Sequence, residues 1–228
     1  MASPRIVPRA PVPGLELASP QPANVTAPSL WDPVVRLTHW GIAVAVLLNA
    51  LVTKGGSLTH VSLGWMGMAL LLLRVIWGVL GPAEARFSAF PPNPVAALRH
   101  MGDLLRGKPR PHRSHNPAGA LMAYALWATV ATVTLTGLVM TGGATPMQVA
   151  REKAAVASGD WSALIKEDES SDNDDNSLRH TAEEIHEMAA NLLLLLAVLH
   201  VAGVFAESRA MRRNLVAPML FGKGDRRS

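Results

Sequence analysis

The chain has 228 residues, 49% of them hydrophobic and only 17% charged, with a mean hydropathy of +0.21 and a formal net charge of +4. A soluble domain of this length ordinarily carries about 25% charged residues, so the balance points to a small membrane protein. Cysteine is absent, which excludes disulfides, thiolate metal sites, a cysteine nucleophile, iron–sulfur clusters and covalently attached c-type haem.

Residues 1–33 are rich in proline and alanine, include Arg5 and Arg9, and lack the continuous apolar region of a secretory signal. They read as a flexible, uncleaved cytoplasmic tail. Residues 34–224 follow as one membrane domain, and 225–228 form a basic end. Within the domain four apolar segments, at about 37–54, 60–80, 118–141 and 185–206, approach the ~17–25 residues of a spanning helix. The first is short and interrupted by Asn49. Trp31, Trp40, Trp65 and Trp77 stand near the ends of the first two, where interfacial aromatics are expected. Leu70–Leu73 and Leu192–Leu196 are apolar all round, as suits lipid better than a soluble bundle. The fold class is therefore all-α, an integral membrane four-helix bundle.

Charge in the connections sets the orientation. Residues 81–117 carry Arg86, Arg99, Arg106, Lys108, Arg110 and Arg113 against Glu84 and Asp103, and the C-terminal stretch adds Arg209, Arg212, Arg213, Lys223, Arg226 and Arg227. Both termini and this loop are expected to be cytoplasmic. Residues 142–184 hold ten acidic side chains against four basic ones and are expected outside. In that loop Ser170–Ser177 reads as polar and mobile, and Met147–Ile165 as a short surface helix containing Trp161. Prolines in the cytoplasmic loop leave room for one short helix near Val95–Leu105.

Four of the eight histidines lie in or at the ends of spanning segments: His39, His60, His186 and His200. On one helix, positions 186 and 200 are about 21 Å apart and differ by only about 40° in azimuth. The expected topology puts His39 and His200 toward the cytoplasm, and His60 and His186 toward the outside. Two pairs result, each taking one ring from the fourth helix, an arrangement that clamps two metal centres between helices. Two imidazoles saturate the axial positions of a haem iron, whereas zinc requires three or four protein ligands. Two non-covalent, bis-His haems held between the helices are the economical answer, and a six-coordinate iron restricts the chemistry to electron transfer.

Gly41, Gly64, Gly67 and Gly203 lie beside these histidines and suit either a flat macrocycle near the backbone or ordinary close helix packing. Arg74 stands inside the second segment, where a charge requires a partner; a haem propionate and snorkelling to the interface are both suitable. Arg36 reads as a positive-inside anchor. His100, His112, His115 and His180 read as solvated. A membrane histidine also serves as an interhelical hydrogen-bonding group or in a proton path, which keeps a non-redox ion or proton transporter as an alternative. No nucleophile elbow is present, and no catalytic residue is assigned.

Arg36-Leu37-Thr38-His39-Trp40, His60-Val61-Ser62-Leu63-Gly64, Leu73-Arg74-Val75-Ile76-Trp77-Gly78, Ala85-Arg86-Phe87-Ser88, His115-Asn116-Pro117-Ala118-Gly119-Ala120-Leu121-Met122, Leu135-Thr136-Gly137, Glu184-Ile185-His186-Glu187 and Leu199-His200-Val201-Ala202-Gly203-Val204 occur in that order. Together, over roughly residues 30–224, they resemble the prokaryotic cytochrome b561 family, which includes the cytochrome b subunits of nickel–iron hydrogenases. The resemblance implies a four-helix core with two b haems, His39 and His200 ligating the cytoplasmic one and His60 and His186 the external one. It further implies electron transfer in the respiratory chain, across the bacterial cytoplasmic (inner) membrane, between the quinone pool and an external redox partner.

A soluble c-type cytochrome or an oxidoreductase subunit is the expected partner, alongside the lipid bilayer and quinone or quinol; nucleic acid is not expected. The acidic 142–184 loop suits a cationic carrier, or serves only as a solvated spacer. The enzymatic alternative is a superoxide:quinone oxidoreductase with Lys54, Arg151, Lys153 and Arg179 at the entry, against which the net negative charge of the loop argues. With four spanning segments rather than an additional fifth, a hydrogenase partner is not assigned.

Overall fold

The structure, a computed structural model, describes residues 32–106, 116–160, 173–212 and 214–222. In chain order its helices are α1 (Pro33–Leu51), α2 (Leu58–Leu80), α3 (Pro94–Leu105), α4 (Pro117–Met140), α5 (Pro146–Ala157), α6 (Asn173–Ala210) and α7 (Val216–Phe221). Two 3₁₀ turns, Ala83–Ala85 and Phe87–Ala89, lie between α2 and α3, and no strand occurs among the described residues. Most of the Pro-rich 1–33 tail, His112, His115, Trp161 and the 225–228 end lie outside the described residues.

Four helices begin with the same local device. Asp32, Asn93, Asn116 and Thr145 stand at the N-cap and accept hydrogen bonds from backbone N–H groups of the first turn. Pro33, Pro94, Pro117 and Pro146 follow, at the position where a missing N–H is not needed. Prolines that punctuate the sequence therefore mark helix starts. The short helix expected near Val95–Leu105 is α3.

Two boundaries differ from expectation. α5 ends at Ala157, followed by Ser158 and by Gly159 at φ 82, so it does not extend to Ile165 or include Trp161. A glycine in the left-handed region is a common way to stop a helix. α6 starts at Asn173, about three turns before the expected 185, so Ser170–Ser177 is helical from Asn173 onward.

α1, α2, α4 and the Asn176–Ala210 part of α6 are each long and apolar enough to cross a membrane. Their outward faces are apolar: Val79, Leu80, Val198, Val201 and Phe205 are each more than 60% exposed. Water would make such a surface unstable, whereas lipid is its natural solvent. The chain is a multi-pass membrane protein.

Inside, α1 packs along α2 and α4 along α6, with α2 also touching α4. Leu71, Val130 and Leu193 form the central core, with Ile42, Val46, Leu126 and Trp127 around it. α3 packs on α4 at one end of the bundle and α5 on α2 at the other. At the α3 end, Trp77 Nε1 donates to Asp32 Oδ1 (3.0 Å), Arg36 Nε to Met219 O (3.0 Å), and the Asn116 amide to the Glu207 carboxylate. Arg36 is thus more than a surface anchor, because its guanidinium holds α7 against the start of α1. At the α5 end, Trp65 Nε1 donates to Ala144 O (3.1 Å), tying α2 to the α4–α5 connection.

Gly78 on α2 lies against the Phe87 ring so closely that a Cβ there would overlap it. Gly78→Ala is expected to cost about 1–3 kcal/mol through overpacking, seen as a lowered Tm in detergent. Gly55→Ala, facing open space, should leave Tm unchanged; equal melting of the two variants would contradict this packing.

Candidate functional site

The four membrane histidines come from three helices: His39 from α1, His60 from α2, His186 and His200 from α6. Each is held by its helix in a fixed place. Thr38, before His39, is fully buried and returns its hydroxyl to Val34 O (2.9 Å), which pins that turn of α1. His60 sits in the first turn of α2, its N–H donating to the Ser57 cap at 3.1 Å.

The fold brings them together as two pairs. His39 and His200 face each other with ring centroids 6.1 Å apart and planes inclined by 52°. His60 and His186 do so at 6.3 Å and 58°. A metal–imidazole bond is about 2.0–2.1 Å, so two rings on opposite sides of one metal ion have centres about 6 Å apart once the ring radius is added. Both spacings leave room for one metal ion between the rings.

The donor set says more about that ion. No group of three or more His, Cys, Asp or Glu side chains able to hold a metal occurs among the described residues. Two imidazoles alone do not make a protein cage for zinc, which takes three or four ligands. They do complete the axial positions of an iron already held equatorially by a macrocycle. α1 and α2 have little direct packing with α6, although their histidines face it. Of the neighbouring glycines, Gly64 and Gly203 border open space. Gly41 instead serves helix packing, because a Cβ there would come within 2.6 Å of Leu70 Cδ1, and Gly67 lies against Ala45.

Arg74 is 4% exposed and does not snorkel. Its guanidinium lies 4.8 Å from the Trp127 ring centroid and 5.3 Å from that of Phe87, and Nη2 donates to Ala85 O at 3.3 Å. Cation–π contact offsets part of the desolvation of such a charge. Nη1 is also buried and has no hydrogen-bond partner among the described residues. A buried guanidinium N–H left in that state calls for an acceptor from outside the chain, and an anion is the natural one. Arg74 is one turn beyond Leu70, the residue that touches Gly41 just after His39, so it belongs to the level of the His39/His200 pair.

His100 corrects an expectation, for it is buried (6% exposed) rather than solvated. Its Nε2 lies 3.9 Å from Glu207 Oε1 where α3, α4 and α6 meet, with Asn116 on the other carboxylate oxygen. The amphipathic α3 turns Ala97 and His100 inward and Val95, Leu98 and Met101 outward. His180 is exposed as expected, 3.6 Å from Glu184.

Sequence reasoning missed the groups behind the histidines. Thr53 Oγ1 is 3.2 Å from His60 Nδ1, and Thr136 Oγ1 is 3.0 Å from His186 Nδ1. Asn49, read only as an interruption of the first span, donates to His60 O at 3.2 Å. Its polarity in an apolar run was the available signal. The threonines gave none, since a hydroxyl that returns to its own helix backbone is unremarkable in a membrane span.

A family model described as prokaryotic cytochrome b561 matches residues 30–222. No curated protein and no solved structure matches the chain.

Proposed function

The chain belongs to the prokaryotic cytochrome b561 family, and from that premise we propose that it is a dihaem cytochrome carrying electrons across the bacterial inner membrane between quinone and an external partner. Family membership makes it a membrane b-type cytochrome of electron transfer, and b haem is its cofactor. The finer reading assigns His39 and His200 to one haem and His60 and His186 to the other. The observation that carries it is the pair of facing imidazole sets, 6.1 and 6.3 Å between centroids, both sharing α6.

Bound haem supplies a one-electron ferric/ferrous couple at each level. The residues do the rest. His39 with His200, and His60 with His186, would each supply two imidazoles to one haem, and an iron so ligated would have no position for substrate and would serve outer-sphere transfer. The Arg74 guanidinium, whose Nη1 has no hydrogen-bond partner among the described residues, would bind and neutralise a propionate at the His39/His200 level. Leu193, 6% exposed between the two histidine levels of α6, keeps water out of the path between them. The 14-residue spacing on α6 sets the two levels about 21 Å apart along the helix axis.

Orientation follows from charge. Arg36, Arg86, Arg99, Arg106, Arg209 and Arg212 belong to the α3 end, which supports a cytoplasmic location for that end and both termini. The acid-rich 142–184 connection then faces outward, where it favours a cationic carrier such as a soluble c-type cytochrome and disfavours steering of superoxide. Quinone exchanges electrons with the protein from within the bilayer.

Pyridine haemochrome analysis of the purified protein is expected to give two haems b per chain. One haem or none would overturn the dihaem reading. Reduction of an oxidised cationic c-type cytochrome by the reduced protein should slow steeply as ionic strength rises; a rate indifferent to salt would remove the docking role of the acidic loop.

A further inference from the structure

Each ring of the His60/His186 pair has a threonine hydroxyl within hydrogen-bond distance of its Nδ1. Thr136 Oγ1 is 3.0 Å from His186 Nδ1 and 2.7 Å from Thr132 O. A hydroxyl has one hydrogen, and a backbone carbonyl can only accept. With that hydrogen given to Thr132 O, the threonine oxygen turns a lone pair toward the imidazole. His186 then carries its proton on Nδ1 and donates it, which leaves the Nε2 lone pair free. Gly137 lets the ring approach this closely, since a Cβ there would stand 3.4 Å from His186 Cε1.

The same logic recurs at His60 with different parts. Thr53 Oγ1 is 3.2 Å from His60 Nδ1 and 3.1 Å from both the backbone oxygen and Oδ1 of Asn49. With the hydroxyl hydrogen given to either acceptor, His60 Nδ1–H donates to Thr53 Oγ1. Asn49 Nδ2 donates in turn to His60 O at 3.2 Å, closing a ring of hydrogen bonds between the end of α1 and the start of α2. The connection after α1 and the helix α4 thus each place a threonine behind one ring of the same pair.

We propose that Thr53 and Thr136 are positioning residues that fix the tautomer and ring orientation of His60 and His186 and lower the reduction potential of the centre these histidines hold. The proposal rests on the reading of His60 and His186 as axial haem ligands. An imidazole whose Nδ1–H is donated into a hydroxyl, itself polarised by a carbonyl, is the more basic ligand. More electron density at iron favours the ferric state, so the pair makes the outer centre the weaker oxidant than it would be without the hydroxyls. The effect is local, because His39 and His200 lie at the other end of the bundle.

The test is a spectroelectrochemical titration of the purified holoprotein, following haem absorbance as a function of potential. The component missing from His186→Ala is the outer centre. Thr136→Val keeps nearly the shape of the side chain and removes the hydroxyl. It should raise the midpoint potential of that component, by up to about tenfold in its equilibrium constant or about 59 mV for one electron, and leave the other component where it was. Thr53→Val should act in the same direction, and Thr136→Ser should restore the original value. Loss of the outer haem from Thr136→Val with retention in Thr136→Ser also supports the positioning role. Full haem content with both potentials unchanged in Thr136→Val and Thr53→Val overturns the proposal. A wild-type protein whose haem content is unaffected by His186→Ala overturns the ligand reading itself, a distinct outcome.

Discussion

One helix has to present two imidazoles to two different partner helices without turning either away from the bundle. His186 and His200 on α6 meet this because fourteen residues bring the azimuth back to within about 40°. His186 then faces His60 of α2 while His200 faces His39 of α1. Leu193, midway between them, is buried against Leu71 and Val130. The inward face of α6 therefore alternates polar, apolar and polar levels, with the apolar one supplying the packing that holds the other two in place. Everything else in the bundle fits around that face: α4 backs α6, and α1 pairs with α2 to return a ring at each level.

The two ends of the bundle support their histidines by different physical means. At the α5 end small polar groups do it, through the Thr53–Asn49–His60 ring and the Thr136–His186 contact. At the α3 end the larger parts gather: Arg74 in its Phe87 and Trp127 cage, Arg36 on the α7 carbonyls, and the His100–Glu207–Asn116 cluster under α3. A buried guanidinium is tolerated in an apolar bundle only with this much support. That concentration of basic and aromatic groups sets the α3 end apart from the α5 end.

Much of this was readable from the chain because membrane physics restricts the possibilities. Four apolar segments of spanning length leave few topologies, and histidines at their ends sort by depth before any coordinates are known. The match of residues 30–222 to the prokaryotic cytochrome b561 model agrees with the motifs quoted from the sequence. What escaped was decided by contacts between segments. His100 looked solvated in a proline-rich loop, yet α3 folds onto α4 and buries it. Arg74 could have reached the interface by length alone, but the 3₁₀ turns bring Phe87 over it. The extra turns of α6 were hidden because acidic, polar residues read as loop. Asn49 looked like a flaw in α1 until its partner on α2 was seen.

The central claim is that each histidine pair holds one haem from both axial sides, with α6 common to both. Low-temperature EPR of the oxidised holoprotein tests it most directly, because spin state reports axial ligation. Two low-spin ferric signals are predicted, one abolished by His186→Ala and the other by His200→Ala. A high-spin ferric signal in the unsubstituted protein, or one signal that responds to both substitutions, would contradict it.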